Sequence, residues 1–148
     1  MSLELFKLLR GVVTADSMFA TNTVGSTIAT VTAGTNVPLP NNQSLSSFTV
    51  DGANQIFTVP VSGRYLISYH INTTAAINIG TRLILNGSTP IASTILAASG
   101  NKNTFSTNSI LSLTAGNTIA LQLFDFNGNV TLLGGGATGA SLAIVRIT

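Results

Sequence analysis

The run Phe57 to Ile71, FTVPVSGRYLISYHI, constrains the fold more than any other stretch of the chain. After the turn residues Pro60, Ser62 and Gly63, apolar side chains recur at alternate positions, at Tyr65, Ile67, Tyr69 and Ile71. A period of two is the signature of a β-strand. The opposite face carries Arg64, Leu66, Ser68 and the only histidine, His70, which a one-sided strand gives to water. Pro60 sits at the strand boundary, where no ladder N–H is required. The rest of the chain is expected to pack around this central strand.

Flanking segments repeat the pattern on a smaller scale. Strand character is found in Ala15 to Ala20, Thr27 to Val31, Phe48 to Val50, Ile56 to Val59, Thr81 to Leu85 and Ile91 to Ala97. It returns in Phe105 to Leu113, Thr118 to Phe126 and Ser141 to Ile147. Asp51-Gly52-Ala53-Asn54 and Asn86-Gly87 supply hairpin connections, and Thr32 to Asn36 and Thr114 to Asn117 supply related turns. Pro38 and Pro40 enforce an extended, unpaired passage. About ten short strands with no convincing helix predict a two-sheet β-sandwich.

Several strands are apolar on both faces. In Thr118 to Phe126, Ile119, Leu121 and Leu123 alternate with Ala120, Phe124 and Phe126, interrupted only by Gln122. A strand in a two-layer sandwich has one core-facing side, so the second side needs a cover. A subunit interface provides one, and Tyr69, Phe124 and Phe126 are the residues expected in it. Composition agrees, because charged residues are 7% of the chain against about a quarter in an ordinary globular domain. Apolar surface left by the protomer is expected to be covered by other copies.

Other functions find few parts. The six basic residues, Lys7, Arg10, Arg64, Arg82, Lys102 and Arg146, are scattered and form no phosphate-tracking stripe, which argues against nucleic acid. No apolar run reaches the roughly 18 residues of a membrane span. The absence of cysteine excludes disulfides and thiolate metal sites. A Ser-His-Asp site would need His70 with Asp51 or Asp125, the bland alternative being a histidine held in a strand. Gly134 to Gly139 matches G-x-G-x-x-G, yet only a strand follows where the dinucleotide fingerprint needs a helix, so a flexible loop is expected. Asp125 to Asn129 fails the calcium-loop pattern at Val130 and Gly136, so it reads as a turn. No catalytic residue, metal or cofactor is assigned.

The start of the chain differs from the remainder. Met1 to Val13, MSLELFKLLRGVV, gathers Leu3, Leu5, Phe6, Leu8 and Leu9. Lys7 and Arg10 interrupt the apolar run, so it makes a poor secretory signal. Two readings stand: a frayed leader, or a tethered docking peptide that inserts into a neighbouring trimer or partner.

The order Phe48, Asn54, Phe57 and Gly63-Arg64-Tyr65-Leu66-Ile67-Ser68-Tyr69-His70 resembles the aromatic framework of complement- and tumour-necrosis-factor-like trimeric jelly rolls. The stretches NVPLPNNQSLSSFTV, IFTVPVSGRYLISYHINTTA, LTAGNTIALQLF and GGATGASLAIVRI resemble the C-terminal head of BclA-type collagen-like glycoproteins of Bacillus spore surfaces. This resemblance spans Ser17 to Thr148. It implies an all-β jelly-roll homotrimer formed by residues 17–148, behind an N-terminal segment of residues 1–16. It also implies a structural spore-surface (exosporium) protein that assembles with neighbouring trimers or other exosporium proteins. The alternative implied is a receptor- or glycan-binding head. The chain carries no Gly-x-y repeats, which favours assembly through the short N-terminus over attachment by a stalk.

Overall fold

The computed structural model describes residues 16–148. The docking expectation for Leu3, Leu5, Phe6, Leu8 and Leu9 therefore lies outside the described residues. Among the described residues thirteen strands are present: β1 (Ser17–Asn22), β2 (Thr27–Thr30), β3 (Thr35–Asn36), β4 (Asn41–Ser44), β5 (Thr49–Val50), β6 (Phe57–Thr58), β7 (Gly63–Ile77), β8 (Gly80–Leu85), β9 (Thr89–Pro90), β10 (Lys102–Leu113), β11 (Thr118–Phe124), β12 (Gly128–Thr131) and β13 (Ala140–Arg146). One sheet has the order β10-β7-β13-β1-β4. The other runs β5-β6-β11-β8-β9, with β3 also on β11, and β2 pairs with β12 in a short ribbon. All of the pairings are antiparallel.

The predicted central strand is central. β7 pairs with β10 on one side and β13 on the other, and it extends beyond the alternating segment to Ile77. Tyr65, Ile67, Tyr69 and Ile71 are all fully buried, facing Leu83, Ile119, Leu121 and Leu123 of the second sheet in one core. Phe48 meets the Tyr65 ring edge-on, with centroids 6.1 Å apart, a preferred aromatic geometry. The Tyr65 hydroxyl donates to the Val61 carbonyl at 2.6 Å. Both predicted hairpin turns form. Asp51 Oδ1 accepts from the Gln55 and Ile56 amides, and Asn86 and Gly87 take the positive φ values that this turn demands.

Ile91 to Ala97 is not the strand its composition predicts. Ala92–Thr94 forms a 3-10 turn, and only Leu96 makes a bridge, to Thr81. The cause is Thr94, whose hydroxyl donates to the Ile91 carbonyl at 2.7 Å and accepts from the Leu83 amide at 3.0 Å. A side chain thus supplies what a ladder would have supplied.

Tyr69 fastens this turn to the core. Its hydroxyl donates to the Thr94 carbonyl at 2.7 Å and lies 2.9 Å from Thr81 Oγ1. Its single proton is used on the carbonyl, so Thr81 is the donor in the second bond. Burial pushes the Tyr69 pKa from 10.0 up to about 12, and burial also raises that of Tyr65. The folded state therefore favours the neutral phenol. That contribution is complete below pH 10.0 and is lost as the pH rises through about 12. Two pKa units correspond to roughly 2 to 3 kcal/mol. Alkaline titration followed by phenolate absorbance, read as the difference between wild type and Tyr69→Phe, is expected to place the Tyr69 ionisation near pH 12 while the chain is folded. Tyr69→Phe should flatten the fall in melting temperature over this window, and a difference signal already present at pH 10 would overturn the assignment.

Candidate assembly surface

The outer face of the five-stranded sheet is built by strand register. Leu66 on β7 stands opposite Ile110 on β10 and Val145 on β13, so three apolar side chains form a row across the sheet. In the next row on this face, Ser68 lies between Asn108 and Ala143, and Ala143 stands opposite Phe19 on β1. His70 follows between Ser106 and Ser141. Ile147 continues the alternation of Val145, and its amide donates to the Arg64 carbonyl at 2.7 Å.

Ten large hydrophobic residues are exposed among the described residues, and five of them belong to this face: Phe19 (43%), Leu66 (39%), Ile110 (52%), Val145 (41%) and Ile147 (44%). Singly exposed apolar residues are ordinary, whereas a contiguous group marks an interaction surface. Each is about half-covered already, so burying the remainder contributes about 1 kcal/mol per side chain before ordering costs.

None of Tyr69, Phe124 and Phe126, the residues expected from sequence at a subunit interface, lies on this face. Tyr69 is 0% exposed and points between the sheets, so it has no surface to offer a second copy. The pattern that exposed Leu66 to solvent also turned Tyr69 inward. Phe124 is half-buried on the outer face of the six-stranded sheet, with Arg82 Cζ 4.1 Å from its ring centroid. A Cβ on Gly80 would fall 2.6 Å from Phe124 Cζ, so the ring covers that glycine. Phe126 does not share its face. Asp125 has φ of 59°, which breaks the alternation and returns Phe126 to the core. The second apolar side of β11 thus finds part of its cover within its own protomer.

The catalytic combination considered above is not assembled. His70 is on the five-stranded sheet, Asp51 serves the turn between β5 and β6, and Asp125 follows β11. Among the described residues no group of three or more His, Asp or Glu side chains is placed to hold a metal. The Gly134 to Gly139 loop packs backbone to backbone. A Cβ on Gly134 would lie 2.7 Å from the Val24 carbonyl carbon, and the Gly139 amide donates to the Asn22 carbonyl at 2.8 Å.

Solved structures share this arrangement. Murine APRIL at pH 8.0 superposes with a TM-score of 0.63 at 16% identity, covering 88% of this chain and 97% of that one. The globular domain of zebrafish complement 1qA gives 0.63 at 15% identity, covering 90% and 98%. Eiger TNF from S. frugiperda gives 0.61 at 17% identity, covering 89% and 91%. At such identities the likeness establishes the fold, a jelly-roll sandwich of the tumour-necrosis-factor and complement kind. No curated protein matches the chain by sequence. The family profile described as the BclA C-terminal domain matches residues 18–148, and the chain belongs to that family.

Proposed function

We propose that this protein is a structural, self-assembling component of the spore surface. It is a homotrimer closed through the outer face of the five-stranded sheet. Trimers join through the N-terminal residues Leu3, Leu5, Phe6, Leu8 and Leu9, docked on a neighbouring trimer or another exosporium protein. Membership of the BclA C-terminal domain family supports the location. The observation that carries the assembly reading is the row Ile110, Leu66 and Val145 with Phe19 beside it, too apolar a surface to leave to water. No helix among the described residues is long and apolar enough to cross a membrane.

A head-to-tail contact whose rotation does not close into a ring builds a filament, and that is the arrangement proposed here. Deleting Met1 to Arg10 is expected to leave trimers intact and abolish higher assembly. Negative-stain electron microscopy beside light scattering reads both outcomes, comparing the full chain with the Gly11-to-Thr148 truncation. Filaments from the truncation would sink the docking role. A cavity on the other sheet, lined among others by Asn36, Gln55, Thr118 and Gln122, favours a second role for the same trimer, as a receptor- or glycan-binding head.

A further inference from the structure

We infer that the outer face of the six-stranded sheet holds a binding site for a single uncharged sugar ring. Ile84 and Ala120 stand opposite one another on β8 and β11, and each is only 4% exposed. Both face away from the core, because their neighbours Leu83, Leu85, Ile119 and Leu121 face into it. This apolar pair floors a cavity of about 250 Å³. Drug-sized ligands occupy pockets of about 300–1,000 Å³, so the space suits one ring.

The walls are polar and neutral. Asn36, Gln55, Thr118 and Gln122 line the cavity, and no ionisable side chain does. A relay fixes one wall. Arg82 is held by the Ala33 carbonyl at 3.0 Å and its Nε donates to Gln122 Oε1 at 2.8 Å. Gln122 Nε2 then donates to Asn36 Oδ1 at 3.2 Å, which leaves the Asn36 amide nitrogen as a donor. The Gln55 side-chain amide and the Thr118 hydroxyl make no hydrogen bond among the described residues. Amides present a donor and an acceptor side by side, matching adjacent hydroxyls, while Ile84 and Ala120 suit the C–H face of a ring. No ionisable side chain lines the cavity to pair with the charge of a uronic acid or an amino sugar, so a neutral ring is the better fit. The groove lies on the sheet opposite the assembly surface, so it stays open in the trimer, and the inference does not rest on that trimer.

Ligand-observed saturation-transfer NMR on the full chain tests it and tolerates large assemblies. The probes are the methyl glycosides of glucose, galactose and N-acetylglucosamine, with glucuronate and glucosamine as charged comparators. Saturation is expected on the C–H face of at least one neutral glycoside, with a Kd of about 1 mM. Ala120→Phe, which fills the floor from the outer face, should weaken binding at least about tenfold, and Gln55→Leu about fivefold. Circular dichroism checks that both variants fold, and light scattering checks that assembly is unchanged. No saturation by any neutral glycoside, equal saturation by the charged sugars, or binding indifferent to both substitutions would overturn the site. Preferential saturation of a neutral Asn/Thr pentapeptide would also overturn it, assigning the groove to peptide.

Discussion

Leu66→Asp is expected to convert the assembly into folded monomers. Leu66 sits at the middle of the apolar row, between Ile110 and Val145, and is exposed in the protomer. In a monomer the new carboxylate stays in water, and the strand loses at most about 1 kcal/mol of local preference. In a closed interface it is taken out of water without a partner, once in every copy, at an effective penalty of several kcal/mol each. In the Gly11-to-Thr148 truncation, where trimers are expected not to join, size-exclusion chromatography with light scattering should read one-third of the mass of the same truncation carrying Leu66, with β-sheet circular dichroism retained. Val31→Asp, at an exposed apolar position off this face, should leave the mass unchanged. An unchanged mass for Leu66→Asp would remove the face from the assembly.

Gly134→Ala is expected to have the largest effect on stability. The loop after β12 crosses the β1–β2 connection with backbone against backbone, and an added Cβ would meet Val24 and Gly25 main-chain atoms. Overpacking costs about 1–3 kcal/mol when side chains can yield, and here only main chain is present to yield. A loss of about 3 kcal/mol corresponds to a fall in Tm of roughly 10 °C. The contrasting variant is Gly52→Ala, which has nothing within 4 Å and should stay within about 0.5 kcal/mol of wild type. Equal melting temperatures for the two variants would contradict the crossing.

Local periodicity reached as far as local causes do. The central strand was legible because Tyr65, Ile67, Tyr69 and Ile71 alternate with polar neighbours, and the Asn86-Gly87 turn because those residues accept positive φ. β4, Asn41–Ser44, carries no apolar residue to betray it, and only its place beside β1 makes it a strand. The turn at Ala92–Thr94 depends on Tyr69 and Leu83, residues distant in sequence. The apolar row shows the same limit more sharply. Leu66, Ile110 and Val145 each look like an isolated exception on a polar face, and they become a surface only when the ladders set them side by side. Phe124 and Phe126 looked like a matched pair, yet one left-handed residue between them sends them to different places.

The placing of β1 beside β13 has a mechanical consequence. Ser17 stands opposite Val145, so the first and last of the described strands begin and finish at the same pole of the sandwich. Tension applied between those two ends peels β1 away one residue pair at a time and meets little resistance. A load that enters at Ser17 and leaves through the opposite pole strains every rung between Ser17 and Asn22 together. The same ladder is a zipper in the first case and a lap joint in the second.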